Sequence, residues 1–193
     1  LQLYTVYPDI YLDTIKPIDS QFDLFPYQRL FLRALMRYNQ IYITATRAAS
    51  KSFLSVLGLY LQCVFIPNHK CSIVAPVKTQ GVKIMRQKVE EILKIWPLLE
   101  KELEVFMGKP HMNFSKDVAE LYFKNGSKFT CEGATDSSRG LRLHSTFLDE
   151  VRDADGDIIS EVILPQLNVS RRDANGLVNP YEVCNQQVIA GTS

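Results

Sequence analysis

The chain has 193 residues, of which 46% are hydrophobic and 22% are charged, and its formal net charge is +1. This length suits one domain with its own core rather than two, and a near-neutral chain does not by itself indicate a nucleic-acid partner, although local basic patches can form. No apolar run approaches the roughly 18 residues of a membrane span and no secretory leader is visible, so we expect no membrane association.

Residues 1–24 show no helical period, so we expect an irregular segment that wraps the surface of the domain. The run from Arg29 to Tyr38 has apolar residues at helical spacing, which predicts an amphipathic helix. Tyr27 and Gln28 precede a loop of small residues, where an aromatic ring and an amide can stack on and hydrogen-bond an adenine. The alternative is structural, with Phe25 and Tyr27 as a hydrophobic staple and Gln28 in solvent.

Ile41 to Thr44 are β-branched or aromatic and predict a short buried strand, and the segment after Lys51 predicts a helix. A strand, a loop of small residues and a helix that opens on Lys51-Ser52 are typical of a phosphate-binding loop. In such a loop, backbone N–H groups and the helix dipole meet the phosphates, the lysine reaches the terminal phosphates and the hydroxyl binds Mg²⁺. The residues assigned to this loop are Ala45, Thr46, Arg47, Ala48, Ala49, Ser50, Lys51 and Ser52.

The loop departs from the G-x-x-x-x-G-K-[ST] pattern, because the two glycines fall on Ala45 and Ser50. Small side chains keep the space that the glycines provide, but they lose the φ freedom of glycine. We expect the change at Ser50 to bear on nucleotide affinity.

Cys71 to Ala75 predict a second strand, and Lys78 to Trp96 predict a long basic helix. The order strand, helix, strand, helix implies parallel pairing with right-handed crossovers. The first half of the long helix is positive, and it either faces DNA phosphates or is a solvated face that Glu90 and Glu91 dilute. Its basic residues are Lys78, Lys83, Arg86 and Lys88.

Alternating residues on both sides of Asn125-Gly126 predict a β-hairpin with a type I′ turn, added antiparallel to the parallel sheet. Further on, the apolar strand from Ser145 to Leu148 ends on two adjacent carboxylates, which matches a Walker B element. Asp149 would hold Mg²⁺, directly or through water, and Glu150 would orient and deprotonate the attacking water. The alternative is an acidic loop that follows a strand.

The last two predicted elements are a short helix from Asp157 to Leu167 and a strand from Gln187 to Ala190. The four cysteines show no C-x-x-C pair and no flanking histidine cluster, so we expect reduced core thiols in a cytosolic protein rather than zinc or disulfides. The chain lacks an initiating Met and ends just after an apolar run, which predicts a fragment of a longer polypeptide.

An ordered set of short motifs spans nearly the whole chain after residue 24. The motifs are Phe25-Pro26-Tyr27-Gln28, Thr46-Arg47-Ala48-Ala49-Ser50-Lys51-Ser52, Ser72-Ile73-Val74-Ala75-Pro76, Ser138-Arg139-Gly140, Phe147-Leu148-Asp149-Glu150 and Ile189-Ala190-Gly191-Thr192-Ser193. Each motif is weak, but in this order the set resembles the ATPase domain of the large terminase subunit of tailed bacteriophages.

The resemblance implies an α/β fold of the P-loop NTPase class, RecA/ASCE-like, with a mostly parallel sheet sandwiched by helices and an added β-hairpin. It implies that residues 25–193 form an ATPase domain whose cofactors are ATP and Mg²⁺. It assigns Gln28, with Tyr27, to the adenine and Thr192 to the motif that couples hydrolysis to domain movement. Arg47 matches the arginine that terminases keep inside the phosphate loop, and Arg139 matches an arginine that can reach the nucleotide of a neighbouring subunit.

The implied function is ATP hydrolysis that pumps double-stranded DNA into a procapsid. The implied partners are DNA, the portal protein, the small terminase subunit and further copies of the chain in a ring. The expected location is the host cytoplasm during virus assembly, rather than the virion or a membrane. The family also carries a C-terminal nuclease domain that this sequence does not contain, so we expect no DNA cleavage by the chain.

Two alternatives remain open. Superfamily-two helicases share most of these motifs, but their Walker B element usually continues as Asp-Glu-x-[HD], whereas here Val151 and Arg152 follow Glu150. A non-hydrolysing DNA-binding or scaffold module with a decayed phosphate loop would explain Ala45 and Ser50. The intact Lys51-Ser52 and Asp149-Glu150 pairs argue against that module.

Overall fold

A computed structural model describes residues 2–46, 49–135, 142–149, 156–167, 175–179 and 182–192. The α-helices are α1 (Gln2–Val6), α2 (Pro8–Ile15), α3 (Pro26–Leu35), α4 (Lys51–Phe65), α5 (Lys78–Ile95) and α6 (Gly156–Ile158). The strands are β1 (Gln40–Ala45), β2 (Lys70–Ala75), β3 (Val105–Phe106), β4 (Lys109–Pro110), β5 (Met112–Phe114), β6 (Ala119–Tyr122), β7 (Lys128–Gly133), β8 (Ser145–Leu148) and β9 (Gln186–Thr192). A 3₁₀-helix spans Pro97–Glu102, and α6 continues as a π-helical turn, Ile159–Ile163, and a 3₁₀ turn, Leu164–Leu167.

Seven strands form one mixed sheet in the order β1-β9-β8-β2-β7-β6-β5. The five strands from β1 to β7 in this order are parallel neighbours, and β6 and β5 extend the sheet as antiparallel strands. The carboxyl ends of parallel strands meet at one edge, so the segments that follow β1, β8 and β9 come together there. This topology confirms the predicted α/β fold with its antiparallel addition.

The centre of the sheet is covered by helices on both faces. All four residues of β8 are buried, and an aromatic and aliphatic core that includes Phe129 and Phe147 lies against α4 and α5. On the opposite face, Ile159 and Ile163 pack with Val74 and other apolar side chains of the sheet. Central strands buried on both faces favour continuous apolar runs, which is why β2 and β8 are legible in the sequence.

The prediction of an irregular segment over residues 1–24 is wrong, because this segment contains α1 and α2. Tertiary contacts hold these short helices in place. The Asp9 carboxylate is 1% exposed and accepts two hydrogen bonds from Arg33, at 2.8 and 2.7 Å, and the Trp96 indole donates to the carbonyl oxygen of Leu12 at 3.1 Å. Helices of five and eight residues are too short to show a clear period and too short to be stable alone.

β1 is an edge strand rather than the buried strand that its composition predicted. Its residues alternate between exposed and half-buried, and the Tyr42 side chain is 69% exposed. Ile41 and Ile43 pack partly against the core, so β1 contributes one face to the interior. A β-branched run therefore identified the strand, but it did not reveal the position of the strand in the sheet.

The hairpin forms as predicted, but its turn is not type I′, because only Gly126 has a positive φ (82°) and Asn125 does not. The Gly126 N–H donates to the Phe123 carbonyl oxygen at 3.0 Å, and the Phe123 N–H donates to Ser127, also at 3.0 Å. These bonds define a three-residue loop with glycine in the left-handed position. The Asn125 amide is held by the end of α4, where it donates to the carbonyl oxygen of Cys63 at 2.8 Å.

Cys63, Cys71 and Cys131 are buried free thiols, which confirms the predicted core position for these three, whereas Cys184 is only half-buried. Burial raises the pKa of Cys131 to about 12. A thiol in such surroundings is chemically inert at neutral pH. None of the described helices is long and apolar enough to cross a membrane.

Candidate functional site

The loop between β1 and α4 turns through a left-handed residue. Ser50 has φ 54° and ψ 27°, and it occupies the position at which the phosphate-loop pattern has its second glycine. The Ala49 N–H donates to the Thr46 carbonyl oxygen at 3.1 Å, and the Leu54 N–H donates to Ser50 at 2.9 Å, which starts α4. The left-handed conformation costs a non-glycine residue about 1–2 kcal/mol.

The Lys51 side chain lies at the carboxyl edge of the sheet. Its ammonium donates to the carbonyl oxygens of Ala45, at 2.5 Å, and Gly191, at 3.0 Å. These carbonyls belong to the last residues of two paired strands, β1 and β9, and Thr192 closes β9 opposite Ala45. Lys51 therefore links the phosphate loop to the end of the strand that carries the predicted coupling motif.

Ser52 and Asp149 meet although 97 residues separate them in the chain. The Ser52 hydroxyl, in the first turn of α4, donates to the Asp149 carboxylate at 3.1 Å. Asp149 follows β8 and is 8% exposed, and its N–H donates to the Val74 carbonyl oxygen at 3.2 Å. The sheet thus brings together the two residues that the sequence assigned to one metal ion.

The oxygen donors of this pair fit Mg²⁺, which is commonly bound by one or two carboxylates, by phosphate oxygens and by water. Within the described ranges, no group of three or more His, Cys, Asp or Glu side chains is placed to hold a metal. A metal bound at Ser52 and Asp149 would therefore take most of its ligands from a phosphate group and from solvent.

Gln28 is buried at the start of α3, with 5% exposure, so the alternative that placed it in solvent is wrong. Its amide oxygen accepts the Phe25 N–H at 2.9 Å, which caps the helix, and its amide nitrogen lies 3.4 Å from the Tyr27 hydroxyl. The Tyr27 ring is 49% exposed and stacks on Phe25, with 6.1 Å between the ring centroids. The contact of these residues with adenine stays a prediction.

A cavity of about 220 Å³ joins Gln28 to the phosphate loop. Its lining comprises Phe22, Gln28, Ser50, Lys51, Ser52, Phe53, Lys88 and Glu91. Sequence reasoning did not assign Phe22, Phe53 or Glu91 to the site, and it placed Lys88 in solvent or at DNA. The i, i+3 spacing of Lys88 and Glu91 was the available signal, since it puts both on one face of a helix.

A larger cavity of about 420 Å³ lies elsewhere, along β2, β6 and β7, and no predicted site residue lines it. The basic helix is largely paired with acidic residues. Lys78 bonds Glu132 at 3.3 Å, and Arg86 bonds Glu90 at 2.9 Å. These ion pairs favour the interpretation of a solvated face over that of a DNA-binding face.

The predicted residues Arg47, Ala48, Arg139 and Glu150 lie outside the described residues. Their assignments to the phosphate loop, to charge stabilisation and to the attacking water therefore stay predictions. Thr192 is described only through its backbone, as the last residue of β9.

No protein-family model matches the sequence, and no curated protein matches it. The structure is similar to the large terminase ATPase domain of Thermus phage P74-26, with a TM-score of 0.61 and 18% identity over 95% of this chain and 68% of that chain. It is also similar to the large terminase of a second thermophilic bacteriophage in complex with ATP-gamma-S, with a TM-score of 0.56 and 12% identity. That match covers 88% of this chain but only 38% of the second terminase, and at these identities the likeness shows a shared fold. The chain has the fold of these phage terminase ATPase domains, as the ordered motifs predicted.

Proposed function

We propose that the chain is the ATPase motor domain of a viral large terminase subunit and that it binds Mg-ATP at the loop between β1 and α4. The observation that carries this proposal is the 3.1 Å hydrogen bond from Ser52 to Asp149, with the Lys51 ammonium at the same edge of the sheet. A hydroxyl, a buried carboxylate and an ammonium in this arrangement suit a nucleoside triphosphate and its metal ion.

In this proposal, the side chains of the chain divide the work of phosphoryl transfer. Mg²⁺ held at Ser52 and Asp149 would neutralise charge on phosphate oxygens. Lys51 would exchange its two carbonyl partners for the terminal phosphates and stabilise the negative charge that develops on them. Glu150, next to Asp149 in the chain, would orient the attacking water and accept its proton.

An arginine is the remaining catalytic group of the proposal, supplied as Arg47 within the loop or as Arg139 of a neighbouring copy. An arginine that reaches the nucleotide of a neighbour contributes roughly 10³ to 10⁵ in rate. We therefore expect slow turnover by an isolated copy. Single Arg→Ala variants mixed with a Glu150→Ala copy separate the two residues, because only an arginine that acts on a neighbour restores activity in the mixture.

The biological role that we propose is translocation of double-stranded DNA into a procapsid, by a ring of copies that works with the portal protein and the small terminase subunit in the host cytoplasm. The phage terminase fold supports this role over that of a helicase. The left-handed Ser50 argues against a decayed scaffold, because serine keeps the backbone conformation for which glycine is usually chosen.

The test is Mg-dependent ATP hydrolysis over a wide range of protein concentration, with Lys51→Ala as the disabled variant and the exposed Lys94→Ala as its control. We expect turnover that is absent in Lys51→Ala, unchanged in Lys94→Ala, and higher per molecule at high concentration. Absence of both ATP binding and turnover in the wild-type chain at every concentration would overturn the proposal in favour of a scaffold module.

A further inference from the structure

The cavity beside the phosphate loop extends beyond the residues that phosphates require. One end is formed by Ser50, Lys51 and Ser52, and the other is closed by Lys88 and Glu91 of α5. A ligand held by its phosphates at the loop therefore has a second, polar boundary within the same cavity of about 220 Å³.

Lys88 and Glu91 form a fixed donor and acceptor at this boundary. The Lys88 ammonium lies 2.8 Å from the Glu91 carboxylate, and their side chains are 26% and 45% exposed. A neighbouring ion pair on the same helix, Arg86 with Glu90, has side chains that are 59% and 62% exposed and does not line the cavity. The two pairs share a helix and a chemistry and differ in where they lie.

An aromatic wall lies between the loop and the ion pair. The Phe22 ring is half-buried and held edge-on by Trp96, with 5.3 Å between ring centroids, and it lies 6.4 Å from the ring of Phe53. Ligand cavities typically combine such apolar surface with a few placed polar groups. A nucleoside has a flat apolar ring together with hydrogen-bond donors and acceptors, and it matches this combination.

The Gln28 amide has partners at both ends, the Phe25 N–H and the Tyr27 hydroxyl. Polar recognition of a nucleoside in this cavity therefore calls on other groups. We infer that the Lys88–Glu91 pair contacts the nucleoside part of the bound nucleotide, with Lys88 as donor and Glu91 as acceptor. This inference rests on the proposed function, because it assumes that the phosphates lie at the loop.

The experiment titrates Mg-ATP and inorganic tripolyphosphate separately into the full chain, as wild type, as Lys88→Ala/Glu91→Ala and as the matched control Arg86→Ala/Glu90→Ala. Loss of a hydrogen bond to a charged group lowers affinity by about tenfold or more. We expect the cavity variant to bind ATP about tenfold more weakly and to bind tripolyphosphate as wild type does. We expect the control to bind both as wild type does.

Unchanged ATP affinity in the cavity variant overturns the inference and leaves the proposed function in place. An equal loss of ATP and tripolyphosphate affinity assigns the pair to phosphate and also overturns it. An equal loss in both double variants shows a general charge effect of α5, with the same consequence. A wild-type chain that binds neither ligand overturns the proposed function, and this inference with it.

Discussion

Replacing Ser50 with glycine tests whether the phosphate loop is strained. The left-handed conformation costs serine about 1–2 kcal/mol, and glycine adopts it freely. Glycine also gains freedom in the unfolded chain, which lowers stability by about 0.5–1 kcal/mol. The Ser50 side chain makes no capping hydrogen bond to α4, so none is lost. We therefore expect Ser50→Gly to raise the free energy of unfolding by about 0.5–1 kcal/mol.

Ala49→Gly is the matched control for this prediction. Ala49 is the adjacent residue and is not among the residues with positive φ, so glycine relieves no strain there. We expect Ala49→Gly to lower the free energy of unfolding by about 0.5–1 kcal/mol. The two neighbouring substitutions therefore have opposite signs.

The assay is urea denaturation of wild type and both variants, with stability taken from the midpoint and the slope of each transition. A Ser50→Gly variant that loses stability to the same extent as Ala49→Gly would refute the reasoning, because both residues would then show only the entropic cost of glycine. A titration with Mg-ATP adds a functional readout, since a relaxed loop is expected to bind at least as tightly as the wild-type loop.

Two further predictions concern elements away from the loop. Burial acts to raise the pKa of Asp9, but the hydrogen bonds and charge of Arg33 outweigh it and hold the pKa below its usual value. Stability from this pair is therefore present above the unfolded pKa of about 4 and lost as pH falls through the folded value. Asp9→Asn should lower the free energy of unfolding by about 2–3 kcal/mol at pH 7 and by much less at pH 3, and equal losses at both pH values would contradict this. Gly81→Ala places a Cβ atom 2.7 Å from the Cys131 sulfur and 2.9 Å from the Ala75 Cβ, so urea denaturation should show a loss of about 1–3 kcal/mol rather than the gain usual for alanine in a helix.

The elements that could be predicted from the sequence are those whose pattern is local. The apolar residues of β8 and the long run of α4 reflect burial on more than one side, and the order of strands and helices implies the parallel sheet. Lys51, Ser52 and Asp149 were identified because phosphate and metal chemistry restricts both residue type and position.

The features that escaped prediction depend on contacts between distant residues. Gln186, at the start of β9, donates to the carbonyl oxygens of Leu35 and Tyr38, both at 2.7 Å, and accepts from Gln62 at 2.7 Å. This buried network joins the end of α3 to α4 and β9, and no local pattern announces it. The edge position of β1 and the place of Lys88 in the cavity also follow from packing, which short sequence windows do not encode.

The most direct test of the proposed site is a crystal structure of the chain with ATP-gamma-S and Mn²⁺, a metal whose anomalous scattering identifies its position. The account predicts that the metal lies between Ser52 and Asp149, and that the Lys51 ammonium leaves the carbonyl oxygens of Ala45 and Gly191 for the phosphates. A nucleotide bound elsewhere, or bound phosphates with Lys51 still on both carbonyls, would contradict it.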